Sequence, residues 1–75
     1  MNNKKEEIHA ILFEKDLYTL KTAKEWLKTH NHKPISHRYT KNLIRFRIIE
    51  PNYNKYIYRS KNIGKGIIFV FQINK

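Results

Sequence analysis

Only one segment of the chain has apolar residues at helical spacing, and this limits the fold to a single helix. In the predicted helix, from about Leu20 to His30, four apolar residues are separated by three, three and one positions. This spacing places their side chains on one side of the helix. The other apolar runs are short and bounded by turn residues, which is typical of strands. The helical stripe consists of Leu20, Ala23, Trp26 and Leu27.

The ends of this helix have recognisable signals. Thr19 is the predicted N-cap, although Thr22 with Glu25 also fits a capping box one turn later. Asn31 suits the left-handed position that follows a helix, and Pro34 prevents the helix from continuing.

The remaining apolar segments predict five strands, and the last of them is apolar on both faces, so we expect it inside the sheet. The sequences TKN and GKG predict tight turns, the second with two glycines. The order β-α-β-β-β-β predicts an α+β fold with one helix on a mainly antiparallel sheet. The predicted strands are residues 8–13, 34–39, 43–49, 56–63 and 67–73.

A chain of 75 residues is expected to form one domain, here residues 8–75 after a polar and frayed segment of residues 1–7. The sequence contains no cysteine, which excludes disulfides and thiolate metal sites. A core this small favours self-association, so we expect a homodimer that pairs edge strands. No apolar run reaches the ~20 residues of a membrane span, and the N-terminus lacks a signal-peptide pattern, so we expect an intracellular protein with no membrane partner.

The histidines and acids do not form a pattern that indicates catalysis. His30 and His32 are two residues apart at a helix end and point in different directions, so they make a poor metal site. Four of the six acids lie within the first sixteen residues, and none is placed as a pair for acid–base chemistry or magnesium. We therefore expect a protein that is not an enzyme and that needs no cofactor or metal.

Positive charge is concentrated in the middle of the chain. Twelve lysine and arginine residues but only two acids lie from Lys21 to Lys65, so this segment accounts for the whole net charge of +10. Such a field attracts polyanions. The alternative is that the charge serves solubility alone.

The strand LIRFRII places two arginines opposite its apolar side chains. Arg45 and Arg47 share one face, and a second strand places Arg59 and Lys61 on a shared face. If these two strands are neighbours, four cations line one surface of the sheet, and cations in or near the adjoining turns extend it. The predicted nucleic-acid-binding residues are Arg38, Lys41, Arg45, Arg47, Arg59, Lys61 and Lys65.

Interleaved tyrosines leave two interpretations open. Tyr39, Tyr53, Tyr56 and Tyr58 would stack on the bases of a single-stranded target. In the alternative, which we favour, Tyr56 and Tyr58 pack under the helix and their neighbours Arg59 and Lys61 are ordinary solvent-facing residues.

The chain resembles a small domain of giant DNA virus and bacteriophage proteins in three motifs. These are the helix with Trp-Leu, the RFR strand followed by proline, and the hairpin GKGI. The resemblance covers about Leu12 to Val70. It implies a viral origin, and hence a location in the virion or in a viral factory of the host cytoplasm, but little about activity. The matching positions are Trp26, Leu27, Arg45, Phe46, Arg47, Pro51, Arg59, Gly64 and Gly66.

The sequence thus predicts a small viral protein that binds DNA or RNA through phosphates with little sequence preference. The second hypothesis is a structural or packaging module that binds an acidic protein or its own copies.

Overall fold

The computed structural model describes residues 6–74 as one helix packed on a five-stranded sheet. This confirms the predicted α+β class and the order of elements. The first strand begins two residues before the predicted start, and the preceding part of the segment predicted to be frayed lies outside the described residues. The elements are β1 (Glu6–Glu14), α1 (Leu20–Thr29), β2 (Ser36–Tyr39), β3 (Leu43–Arg47), β4 (Tyr56–Gly64) and β5 (Ile67–Asn74).

The strands lie in the order β2-β3-β1-β5-β4, and all neighbouring pairs are antiparallel. β1 is central, β5 is an interior strand as its two apolar faces predict, and β2 and β4 form the edges. β3 and β4, which follow one another in the chain, are separated by two strands. A long connection therefore crosses from one side of the sheet to the other.

Helix α1 covers one face of the sheet, here called the helix face. The apolar side chains of β1 and β3 pack there with the helix stripe, and the rings of Phe13 and Phe46 meet edge to face at 5.6 Å. Trp26 is half-buried and packs against this core, with its ring 5.6 Å from that of Phe13. The buried core residues are Ile11, Phe13, Ala23, Leu27, Ile44, Phe46 and Ile67.

The opposite face of the sheet, here called the open face, has a smaller apolar cluster. Ala10, Leu12 and Val70 form its buried part, and Leu43, Tyr58 and Ile68 pack against them. The helix stripe of α1 packs with the core of the helix face, so Arg45 and Arg47, which alternate with the core residues of β3, lie on the open face.

Local signals set the ends of α1. The Thr19 side chain accepts a hydrogen bond from the Thr22 backbone N–H, and the Thr22 hydroxyl accepts one from the Thr19 N–H, which is a reciprocal cap. The helix therefore starts at the first of the two predicted positions. Asn31 follows with a φ of 63°, the left-handed conformation expected of it. No helix within residues 6–74 has the length and apolar character needed to cross a membrane.

The two predicted turns lie at the same end of the sheet. Gly64, Lys65 and Gly66 have φ values of 87°, 57° and 76° and join β4 to β5. The Glu14 N–H donates to the Gly66 carbonyl at 2.8 Å, and the Lys15 N–H donates to the Asn42 carbonyl at 3.0 Å. The end of β1 thus lies between the two turns.

Candidate anion-binding site on the open face

Three arginines lie close together on strands β2 and β3. Arg38 is directly opposite Arg45 across the two strands, and Ser36 is directly opposite Arg47. Directly opposed residues of antiparallel strands are about 5 Å apart at Cα. These residues line an open depression of about 420 Å³ together with His37, Thr40 and Tyr53. We call this depression, with Ser36, Arg38, Thr40, Arg45, Arg47 and Tyr53, the arginine site.

Packing beneath the site holds two of the arginines in place. Arg45 is opposite Leu12, and Arg47 is opposite Ala10, both of which are buried residues of the central strand β1. Both arginines are half-buried, so their aliphatic stems cover apolar surface while the guanidinium groups reach the depression. The alternation of β3 therefore determines which side chains form the site.

The positive charge of the arginine site is mostly unbalanced. One Arg47 terminal nitrogen lies 3.3 Å from a carboxylate oxygen of Glu50, which is the only ion pair found within residues 6–74. Arg38 and Arg45 have no acidic partner in that part of the chain. Like charges directly opposite one another on neighbouring strands are unfavourable. The Nε atom of Arg47 is also buried without a hydrogen-bond partner.

A bulge in β1 places a histidine behind the arginines. The pairing of β1 with β5 shifts between Ile8 and Ala10, and the ring of the extra residue, His9, lies 4.8 Å from the Tyr58 ring. Burial, and then the positive charge of Arg45, lower the pKa of His9 below its ordinary value of 6.5. This residue therefore favours its neutral form beside the arginine site.

The connection from β3 to β4 closes one side of the arginine site. The Asn52 backbone N–H donates to the Tyr58 hydroxyl at 2.7 Å, and the Asn52 side-chain oxygen accepts from the N–H groups of Asn54 and Lys55, each at 3.2 Å. The Tyr53 ring packs edge to face on Tyr58 at 5.1 Å. These contacts fix a loop that contains an aromatic ring at the edge of the depression.

The other predicted cations lie elsewhere. Arg59 and Lys61 are opposite Phe71 and Phe69 of β5 on the helix face. Because β3 and β4 are not neighbours and present these pairs on opposite faces, four cations do not line one surface. Lys41 lies in the turn between β2 and β3, next in the chain to Thr40 of the arginine site, and Lys65 lies in the turn between β4 and β5.

The tyrosines of β4 are also placed differently from the favoured prediction. Tyr58 packs against the cluster on the open face and not under α1. Tyr56 alternates with Ile57 and shares the face of Tyr58. The prediction was wrong because the sequence shows which residues share a face but does not show which face the helix covers.

Two residues of the site were missed in the sequence. Ser36 precedes Arg38 by two residues in a strand, so period-two alternation could have placed it on the same face. Thr40 follows Arg38 by two residues, but it lies in the turn and its hydroxyl hydrogen-bonds both the N–H and the carbonyl of Leu43. The alternation of β2 was therefore sufficient to predict Ser36, whereas the position of Thr40 depends on the conformation of the turn.

Among residues 6–74, no group of three histidine, aspartate or glutamate side chains could hold a metal ion. Comparisons of the chain with protein-family models, with curated proteins and with solved structures find no match. A proposal about function therefore has to come from the residues themselves.

Proposed function

We propose that this protein binds nucleic acid, DNA or RNA, through phosphates that contact Arg38, Arg45 and Arg47 at the arginine site. The observation that carries the proposal is the direct opposition of Arg38 and Arg45 with no acid to balance them in the described chain. The repulsion between the two opposed guanidinium groups costs stability, so these two charges do not favour folding. A phosphate between the two guanidinium groups would offset that cost and form charge-assisted hydrogen bonds with both.

The spacing of the arginines suits a linear polyanion. Arg45 and Arg47 are two residues apart on a strand and so lie about 7 Å apart, a separation comparable with that of successive phosphates along an extended chain. Arg38 adds a second row about 5 Å away. Contacts of this kind position a backbone without reading bases, so binding would be largely independent of sequence. Lys41, in the adjoining turn, would extend the contact along the same edge.

A matched pair of double variants tests this proposal. Arg45→Ala/Arg47→Ala and Arg59→Ala/Lys61→Ala each remove two cations two residues apart on one strand, so both have the same net charge. We would measure fluorescence anisotropy with labelled short DNA and RNA at about 50 and 200 mM salt, because phosphate-led binding must weaken steeply with salt. We expect the first variant to weaken binding about tenfold or more, and the second to change it much less.

Two outcomes would contradict the proposal. One is the absence of binding at the lower salt concentration. The other is an equal loss in both double variants, which would mean that total charge and not the arginine site attracts the ligand. Circular dichroism and urea unfolding would show that each variant is folded.

The edge strand β4 supports a second candidate function, binding of an acidic protein partner. Ile57 is 39% exposed and shares the helix face with Arg59 and Lys61, and Ile63, which is 45% exposed, lies where the pairing of β4 with β5 shifts. An edge strand leaves one row of backbone groups free to pair with an added strand. An extended segment with alternating acidic and apolar side chains would complement this row. Pairing with a second copy of β4 is disfavoured, because it would bring Arg59 and Lys61 close to the same cations of the other copy.

Direct binding assays distinguish these partners for β4. We would titrate a labelled peptide of alternating glutamate and isoleucine, and would measure self-association by sedimentation. Binding of the peptide that is lost in Arg59→Glu/Lys61→Glu but kept in Arg45→Glu/Arg47→Glu would support an acidic partner. Self-association that involves β4 would instead support a homodimer, and neither result requires nucleic acid.

A further inference from the structure

Tyr53 is an exposed aromatic residue at the edge of the arginine site. Tyr53 is 67% exposed, and it lines the same depression as Arg38, Arg45 and Arg47. An exposed ring contributes little to folding. Its position beside three cations therefore leaves the ring accessible to a ligand whose anionic groups bind the arginines.

The ring is held in position by its surroundings. Tyr58 packs against one side of Tyr53 with a centroid distance of 5.1 Å and an interplanar angle of 62°. The preceding residue is fixed by the hydrogen bond from the Asn52 N–H to the Tyr58 hydroxyl. Because the loop is already ordered, a ligand that contacts the exposed part of the ring loses little additional conformational freedom.

We propose that Tyr53 stacks on a base of a single-stranded nucleic acid whose phosphates bind the three arginines. This inference rests on the proposed function and names the form of nucleic acid that the site selects. In a duplex each base is already stacked and paired, and releasing one has a free-energy cost. An unpaired strand presents bases and phosphates together. Stacking on an aromatic ring accepts any base, which agrees with a site that reads no sequence.

Tyr39 provides a matched control for Tyr53. It is also a surface tyrosine, 53% exposed, but it pairs with Ile44 on the helix face of the same two strands. Its ring contacts Lys15, whose ammonium nitrogen lies 5.3 Å from the ring centroid. A change at Tyr39 removes the same chemical group from the face of the sheet opposite the three arginines.

The test compares three labelled ligands of similar length: an oligothymidine, an abasic strand with the same phosphates, and a hairpin duplex. Stacking of one base contributes about 1–3 kcal/mol, so we expect oligothymidine to bind at least about fivefold more tightly than the abasic strand. Tyr53→Ala should remove this difference and leave abasic binding unchanged. Tyr53→Phe should retain the difference because the ring remains, and Tyr39→Ala should have no effect.

Each other outcome overturns a stated part of the proposal. Equal affinity of the wild-type protein for oligothymidine and the abasic strand would rule out stacking while leaving phosphate binding intact. Duplex binding as tight as that of oligothymidine would rule out selection of single strands. If no ligand binds, the proposed function fails together with this inference. The wild-type comparison decides the matter even if Tyr53→Ala fails to fold.

Discussion

At the scale of single residues, Arg45 has opposite effects on stability through its aliphatic stem and through its charge. Arg45 covers the buried Leu12 with its stem, which is favourable, yet its charge faces that of Arg38 across the strand pair. The same position therefore supports the fold through its aliphatic part and opposes it through its guanidinium group. Removing the charge alone should separate these two effects.

Arg38→Gln should make the folded protein more stable while weakening its binding of nucleic acid. We expect the free energy of unfolding to rise by about 0.5 kcal/mol at low salt, because the like-charge pair is relieved. The gain should disappear at about 0.5 M salt, where exposed charges are screened. Urea unfolding at the two salt concentrations measures both effects.

Arg59→Gln is the control for this prediction, since its neighbour on β5 is Phe71 and no charge is relieved. A gain of equal size in Arg59→Gln would attribute the effect to net charge. An Arg38→Gln variant that is less stable at every salt concentration would contradict the prediction outright.

His9 links the stability of the protein to pH. Burial first, and then the charges of Arg45 and Arg47, lower its pKa, whereas the backbone of Ile49 and the nearby Glu50 oppose this shift. The fold thus favours the neutral imidazole, so the unfolded chain binds more protons as the pH falls below 6.5. This contribution is fully present above that pH and is lost as the pH decreases through the lower pKa of the folded state.

We therefore expect the free energy of unfolding to fall between about pH 7.5 and 5.5 and the fall to be smaller in His9→Leu. His32, whose pKa is lowered by burial and then by the neighbouring His30, acts in the same direction. The double variant His9→Leu/His32→Leu should show the smallest change. Urea titrations across this range measure it, and a His9→Leu variant with the wild-type pH dependence would refute the role of His9.

At the scale of elements, the features predicted correctly are those that depend on neighbouring residues. The N-cap at Thr19, the left-handed Asn31 and the Gly64–Gly66 turn each follow from side chains within a few positions. The faces of β3 and β4 also follow from simple alternation. Each of these features depends on residues that are close together in the chain, so it can be predicted from the sequence alone.

The arrangement of the site depends on contacts between distant residues, and these could not be read from the sequence. Alternation places Arg45 with Arg47, and Arg59 with Lys61, but nothing local shows that β1 and β5 lie between the two strands. The bulge at His9 appears only in the pairing of β1 with β5, a strand almost sixty residues later in the chain. The position of Tyr53 beside the arginines likewise depends on a loop that crosses the sheet.

Helix α1 gives a prediction at this scale, because its start is fixed by one reciprocal cap. Thr19→Ala removes the side chain that accepts from the Thr22 N–H, which should lower the free energy of unfolding by about 1 kcal/mol. Thr29→Ala is the matched control at the other end, where the hydroxyl donates to the Glu25 carbonyl within the helix. We expect little change there, and equal losses in both variants would show that the cap has no special role.

At the scale of the whole molecule, the positive charge of residues 6–74 does not form one continuous surface. Arg38, Arg45 and Arg47 lie on the open face, whereas Arg59 and Lys61 lie on the helix face at the far edge of the sheet. The lysines of α1 lie on the exposed side of the helix. A strand bound at the arginine site therefore reaches only part of the net charge of +10. The salt dependence of binding should therefore distinguish contact with the arginine site alone from contact with all the positive charge.

The slope of log affinity against log salt should reveal how many phosphates the protein contacts. The three arginines of the arginine site, with or without Lys41 of the adjoining turn, give a slope of about −2 to −3 for a single strand, whereas engagement of all ten excess charges would give about −7. Arg45→Ala should reduce the slope by about 0.7, and Arg59→Ala should leave it unchanged. Anisotropy titrations with oligothymidine from about 50 to 300 mM salt measure these slopes. A steep wild-type slope that both variants reduce equally would show that the strand binds the diffuse field of the molecule and not a built site.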